Sequence, residues 1–372
     1  MKLSLNLQCV NIEGTGIAVF ANELITYLQN QKCFDLSGCY VKMRNYNENF
    51  SRFDFPIHKL FLPKIPYVRG LRKPLPIPYR ILSGVNADVN LYFTWNITRF
   101  RHDGITIATI HDLIALKTEM ENQKMVEDQQ YDLWYSCKYC DYILTVSNNS
   151  KKDIAETLGF PKEKIEVIPN GVDFEQYNNP ISEEKKILIR NKYNLPENYL
   201  LYFGAYRKHK NIERLVIAYS KLPQNIRKHY PLVITNGERQ LKGLIEKMNL
   251  SSDVIFTGFI DDQDKIGVYQ MASLFCYVSL YEGFGIPVIE AQAAGVPVIT
   301  SATSSLPEVA GDAAILVNPN NVDDICQSIE NILSDNSLRE EIINKGYQNA
   351  KKYSWEAAGE KLVAFLRKIE KH

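Results

Sequence analysis

Between Tyr281 and Val298 the chain reads Tyr-Glu-Gly-Phe-Gly-Ile-Pro-Val-Ile-Glu-Ala-Gln-Ala-Ala-Gly-Val-Pro-Val. Gly283 and Gly285 carry no Cβ, so the backbone there can approach a ligand closely. Pro287 suits the first turn of a helix, where a missing N–H costs nothing. The unpaired N–H groups of such a helix start would face an anion, and the helix dipole adds to the attraction. Glu282 precedes this helix and Glu290 lies one turn inside it, so both carboxylates can line one pocket. Carboxylates are poorly placed for a phosphate and well suited to sugar and ribose hydroxyls.

Three further segments place reactive side chains beside predicted strand ends. Tyr202-Phe-Gly-Ala-Tyr-Arg-Lys-His-Lys-Asn-Ile212 follows a strand and opens a helix. Its Arg207, Lys208 and Lys210 put cations where a diphosphate could sit, and such cations can stabilise leaving-group charge. Glu13-Gly-Thr-Gly-Ile17 lies between the first strand and a helix, a candidate phosphate or acceptor loop, although G-x-G alone is weak. Thr109-Ile-His-Asp-Leu113 ends a strand; a lone histidine is more often structural, but His111 beside Asp112 at a carboxyl end favours function.

The first of these segments resembles the signature of the retaining glycosyltransferases of family 4, which have the GT-B fold. The match runs Glu-Gly-Phe-Gly-x-Pro-x-x-Glu-Ala-x-Ala-x-Gly-x-Pro-Val, and its most specific element is the seven-residue spacing from Glu282 to Glu290. The resemblance implies that Glu290 holds the nucleotide ribose and that Glu282 lies by the donor sugar, with backbone amides of Phe284, Gly285 and Ile286 contributing. Gly14 and Gly16 then belong to a loop meeting the donor diphosphate, and His111 approaches the donor sugar. That histidine suits sugar positioning or transition-state stabilisation better than general-base work. In the family an Arg often follows the glycine of the Tyr202–Ile212 segment, whereas this chain has Ala205; Lys210-Asn211 matches, and Arg207 is the nominated substitute. Ser304-Ser-Leu-Pro-Glu308 also matches and is expected to shape the pocket wall.

For the donor, Asp262 in Thr257-Gly-Phe-Ile-Asp-Asp262 stands where a base edge is expected. Its carboxylate could accept from guanine N1 and N2, a contact uracil cannot supply, so GDP-mannose is the first expectation and a UDP-sugar the alternative. An acid at a helix start is also favourable for the dipole alone. Lys59–Arg80 holds six Lys/Arg, no Asp or Glu and five prolines. Such a segment could meet an anionic lipid head group or lipid diphosphate, or could equally be a solvated loop.

The elements that must position these residues alternate along the chain. Strands are predicted at Lys2–Cys9, Asp35–Tyr40, Asp88–Phe93, Ile105–Ile110, Tyr142–Val146 and Ile165–Ile168. A second set follows at Tyr199–Phe203, Leu232–Thr235, Val254–Thr257, Leu274–Tyr277, Val298–Thr300 and Ala314–Val317. Helical periodicity fills most gaps, as in Ile17–Gln29, Ser147–Leu158, Ile212–Lys221 and Pro287–Ala294. Alternation of this kind predicts an α/β protein with parallel, doubly wound sheets. The polar stretch 172–197 is the expected seam. The domains are therefore 1–172, Rossmann-like and acceptor-side, and 173–353, Rossmann-like and nucleotide-sugar-binding. By resemblance the two face a central cleft, and 354–372 is a helix crossing back to the first.

Composition narrows the class. The 372 residues carry 43 Lys+Arg and 43 Asp+Glu, a net charge of zero that excludes a generally polyanion-binding protein, so no nucleic acid is expected. Residues 1–110 nonetheless hold 13 Lys+Arg against 7 Asp+Glu, which puts a local cationic face on the acceptor side. No run of about 18 apolar residues occurs, and the N-terminus reads as a strand, not a signal peptide. Seven cysteines do not suggest a disulfide framework, and Cys137-x-x-Cys140 reads as reduced packing cysteines. No metal-ligand spacing is visible, so no metal or cofactor is expected and cations would replace it at the diphosphate. The expected protein is a cytoplasmic hexosyltransferase, possible at the inner face of the cell membrane. It would move mannose to a glycan or lipid-linked oligosaccharide in polysaccharide synthesis. Competing readings are a nucleotide-sugar epimerase of the same fold and a non-catalytic nucleotide-sugar binder. A nicotinamide dehydrogenase is disfavoured because the third glycine of G-x-G-x-x-G is missing.

Overall fold

The computed structural model describes residues 1–12, 14–41, 47–60, 74–118 and 123–370. The chain divides into two compact units, Met1–Gly171 with Trp355–His372, and Val172–Ser354.

The first unit is built on a seven-stranded parallel sheet. Its spatial order is Ile57–Leu60, Asp35–Val41, Lys2–Asn6, Val89–Tyr92, Ile105–Thr109, Tyr142–Thr145, Ile165–Val167. Leu3, Leu5, Val89, Leu91, Ile107 and Ile143 are all fully buried, as expected where helices cover both faces. All six strands expected here are present within a residue or so at most ends; Lys2–Asn6 is three shorter than its apolar run. The seventh, Ile57–Leu60, is not apparent from the sequence. It lies at the sheet edge with one neighbour, and of its residues only Leu60 is buried, so no apolar run marks it. Leu75–Pro78 and Phe100–Arg101 form a separate two-stranded pair. Of the basic segment Lys59–Arg80, residues 61–73 lie outside the described residues.

After the first strand, Thr15 caps the helix Gly16–Gln31 by accepting from the Ala18 N–H. Phe20, Ala21, Leu24, Ile25 and Leu28 bury one face of it. The last helix, Trp355–Glu370, packs on this one so closely that a Cβ on Gly359 would lie 2.2 Å from the Tyr27 ring.

The second unit carries a six-stranded parallel sheet in the order Val254–Phe256, Leu232–Ile234, Leu200–Tyr202, Leu274–Tyr277, Val298–Ser301, Ile315–Val317. The order reverses between Leu200–Tyr202 and Leu274–Tyr277, which pair directly. A crevice beyond the carboxyl ends of strands at such a reversal is where open α/β sheets bind ligands. The unit closes on itself: the Val172 N–H donates to the Tyr353 carbonyl at 2.8 Å. No helix among the described residues is long and apolar enough to cross a membrane.

Candidate functional site

The two strands at the reversal deliver the first cluster. After Leu200–Tyr202 the chain makes a tight turn over Lys208–Lys210 and passes through Asn211, whose φ of 60° is left-handed. Asn tolerates this conformation better than most residues. Its side-chain amide donates to the carbonyls of Val278 at 2.9 Å and Pro319 at 2.7 Å, and the His209 carbonyl accepts from Leu280 N–H. The turn is thereby fastened to the neighbouring strand end. Lys210 Nζ donates to Glu282 Oε1 and Oε2 at 2.7 and 2.9 Å and to the Tyr277 hydroxyl at 2.6 Å. Glu282 is buried, and burial alone would raise its pKa. The Lys210 ammonium outweighs that and holds the carboxyl below its ordinary range.

Glu282 is also held by its backbone. Its N–H donates to Ser304 Oγ at 3.0 Å, and Ser305 Oγ donates to the carbonyls of Glu282 and Phe284 at 2.9 and 2.8 Å. The chain then turns through Gly285, at φ 106°, into the helix Ile286–Ala293 with Pro287 in its first turn. A Cβ at Gly285 would meet Leu306 at 2.7 Å. The Phe284 ring is buried edge-on to Tyr353 at 5.5 Å, which leaves backbone groups as its means of meeting a ligand.

Glu290, inside that helix, repeats the arrangement of Glu282. Oε1 accepts from Lys265 Nζ at 2.5 Å and Oε2 from the Tyr269 hydroxyl at 3.1 Å. Lys265 and Tyr269 lie four residues apart on the helix Asp262–Gln270 and so share a face. Rings connect the two acid sites: Tyr269 to Phe275 at 5.4 Å, and Phe275 to Tyr277 at 5.7 Å. Each acid thus has one lysine and at least one tyrosine hydroxyl, Glu290 meeting Tyr177 as well as Tyr269, and the two sites are joined through a buried aromatic row.

The remaining candidates fall as follows. Arg207 is exposed, three residues before Lys210, and is not part of the Lys210–Glu282 cluster. Asp262 is exposed at the first position of its helix; the neighbouring Asp261 and Asp264, not Asp262, pair with Lys192, at 2.6 Å each. Gly14, at φ 70°, has open space where a Cβ would project, and Gly16 begins the helix capped by Thr15. Both follow the strand Lys2–Asn6 of the first unit. His111 follows Ile105–Thr109 in the same unit and is buried, its edge contact with Phe20 at 4.9 Å. Its Nε2 lies 3.1 Å from the Phe93 carbonyl, which can only accept, so Nε2 carries the proton. Burial pushes its pKa down to about 4, so the ring is neutral near pH 7.

Lys265, Tyr269, Tyr277 and the hydrogen-bonding roles of Ser304 and Ser305 are not apparent from the sequence. Only the Ser304–Glu308 segment carried a signal, through the family resemblance. Cys137 and Cys140 are unbonded to each other, pack against the first unit's core, and have thiols raised by burial to about 12 and above.

A doubly wound α/β unit with paired acids and lysines at its sheet reversal defines a ligand-binding α/β protein, and comparison with known proteins gives its family. Residues 15–176 match the model described as Glycosyltransferase Family 4, and residues 184–349 the one described as Glycosyl transferases group 1. The O-antigen chain mannosyltransferase B of Escherichia coli is 34% identical over 256 residues, 67% of each chain. The serotype-specific mannosyltransferase WbdA of Escherichia coli is 31% identical over 261 residues; the match covers 67% of this chain and 32% of that relative's length. The crystal structure of Anabaena HepE in complex with UDP and glucose superposes with a TM-score of 0.74 at 14% identity, over 99% of this chain and 100% of that one. The chain belongs to glycosyltransferase family 4 and has the GT-B fold.

Proposed function

We propose that the protein transfers mannose from GDP-mannose, with retention of anomeric configuration, to a glycan or lipid-linked glycan in cell-surface polysaccharide synthesis. The observation that carries this is the Lys210–Glu282–Tyr277 cluster at the reversal of the second sheet, with Glu290 one turn inside the following helix. The donor diphosphate lies against Lys210 and the N–H groups that open Ile286–Ala293, which stabilise the charge of the leaving group. Glu290 takes the ribose hydroxyls and Glu282 a hydroxyl of the donor sugar. Gly14 and Gly16 contribute backbone groups that bind the diphosphate.

His111, neutral and with Nε2 committed to Phe93, positions the sugar and does not remove a proton. The acceptor hydroxyl attacks the face the diphosphate leaves, and the departing phosphate oxygen takes its proton. Asp262 reads guanine, its exposed carboxylate facing outward to accept from N1 and N2. Mannosyl transfer in O-antigen synthesis is supported by the mannosyltransferase relatives, and the anionic acceptor by the basic segment Lys59–Arg80.

The test is a thermal-shift comparison of GDP, GDP-mannose, UDP and UDP-glucose, followed by transfer to a mannosylated acceptor with NMR of the product anomer. Stabilisation by guanine ligands alone and an α-linked product are expected. Preference for UDP ligands would replace the donor, as the UDP held by HepE suggests it could. Free sugar released from donor alone would favour the epimerase reading, and binding without turnover on any acceptor a non-catalytic one.

A further inference from the structure

The pair Lys265–Glu290 is the closest lysine–carboxylate contact at either acid, and no sequence motif marks its lysine. A carboxylate offers about four acceptor positions over its two oxygens. In Glu290 three positions are taken, by Lys265 on one oxygen, by Tyr269 on the other and by the Tyr177 hydroxyl, and this fixes the plane of the group. That leaves about one acceptor position for a ligand. An acceptor held in a fixed direction matches a ribose hydroxyl, which donates one hydrogen bond.

Glu290 has a side-chain exposure of 8%, against 26% for Lys265. The lysine therefore neutralises an acid that would otherwise stand buried and uncompensated near an incoming diphosphate, an arrangement costly on both counts. Lys265 is itself held in place. Its ammonium lies 5.4 Å above the Phe203 ring. Its helix is secured from the other side by Lys192, which bridges Asp261 and Asp264 at 2.6 Å each. The Tyr193 hydroxyl helps too, accepting from Asp261 N–H and donating to Asp264.

We infer that Lys265 is a positioning residue for the nucleotide ribose: by orienting and neutralising Glu290 it sets how strongly the protein distinguishes a ribonucleoside diphosphate from one lacking the ribose hydroxyls. This rests on the donor reading above, in which Glu290 meets the ribose.

Isothermal titration with GDP and with 2′,3′-dideoxy-GDP, and with the corresponding uridine pair, tests it on the full chain. Wild type binds the ribonucleotide about tenfold or more tightly than its dideoxy analogue, the effect of losing hydrogen bonds to a charged group. In Lys265→Met and Lys265→Gln the ratio falls to within about threefold, and Lys265→Arg, which keeps the ion pair, restores most of it. Each ratio is internal to one variant, so a general loss of stability does not move it. A ratio in both Met and Gln variants equal to that of wild type would overturn the role of Lys265 alone. Wild type that binds none of these nucleotides, or binds ribo and dideoxy forms equally, would overturn the ribose reading of Glu290 and the inference with it.

Discussion

Lys210 has three N–H bonds, and its three contacts to Glu282 and Tyr277 use all of them. A diphosphate that is to meet this ammonium must therefore compete with Glu282. The competition has an unusual consequence for Glu282→Gln. Free GDP, which has no sugar to offer Glu282, should bind the variant about three- to tenfold more tightly than wild type, because Lys210 is released and a nearby negative charge is gone. Under the proposed function, in which Glu282 meets the donor sugar, transfer should fall at least about a hundredfold. Titration of GDP alongside a steady-state transfer assay separates the two effects; unchanged or weaker GDP binding would refute the competition. Lys210→Ala should differ in kind, costing about 3–5 kcal/mol of stability in urea melts because Glu282 is left buried without its cation.

His111 supplies a second test at this scale. Its pKa is near 6.5 in the unfolded chain and about 4 when folded. Between those values the unfolded state binds the extra proton, so this residue makes stability fall as pH drops from 6.5 to 4 and adds no slope above. His111→Gln should flatten that part of the profile, measured as the denaturation midpoint against pH. Glu282 acts at lower pH, its stabilisation lost as pH falls through its depressed folded value. The acids were legible in the sequence because a glycine–proline frame surrounds them locally. Lys210 was legible as well, through its place after a strand and the Lys210-Asn211 match; its pairing with Glu282, 72 positions away, was not, nor were Lys265, 25 positions from Glu290, and the tyrosines, because only the sheet order closes such distances.

At the scale of elements, the helix Ile286–Ala293 and the turn before it act as one part. Gly285 holds a φ of 106° and leaves no room for a Cβ, while Ser304 and Ser305 fasten the turn to the loop after the next strand. Gly285→Ala should cost about 1–3 kcal/mol from the backbone conformation alone, with a further loss from the Leu306 contact. Under the proposed function this turn opens the helix whose first N–H groups meet the diphosphate, so nucleotide affinity should fall with it. A normal GDP affinity in a destabilised Gly285→Ala would show that the turn is only structural. Nine of the twelve strands expected lie inside a sheet and were readable because burial on both faces favours apolar runs; the edge strands Ile165–Val167, Val254–Phe256 and Ile315–Val317 still carry short apolar runs of their own. Ile57–Leu60 was not readable, since an edge strand with half-buried polar residues leaves no such run.

Over the whole molecule, the division into units is uneven in sequence. The second unit is one unbroken stretch whose ends meet through Val172 and Tyr353, whereas the first is completed by a helix some 180 positions further on. Val172–Ser354 contains its six-stranded sheet, both acids and both lysines, so it should fold alone. Under the proposed function it should bind GDP more weakly than the full chain and transfer nothing. Deleting 355–372 should weaken the first unit and leave the second intact. The helix Trp355–Glu370 buries Leu362, Phe365, Leu366 and Ile369, and burying each such side chain is worth about 1.5–3 kcal/mol. Its removal uncovers the surface it covered on Gly16–Gln31, the helix that the glycine loop feeds. Hydrogen exchange should then show the first sheet opening by a lower-energy route while protection across Leu200–Tyr202 and Leu274–Tyr277 is retained. Equal loss of protection in both sheets would mean that the two units unfold as one.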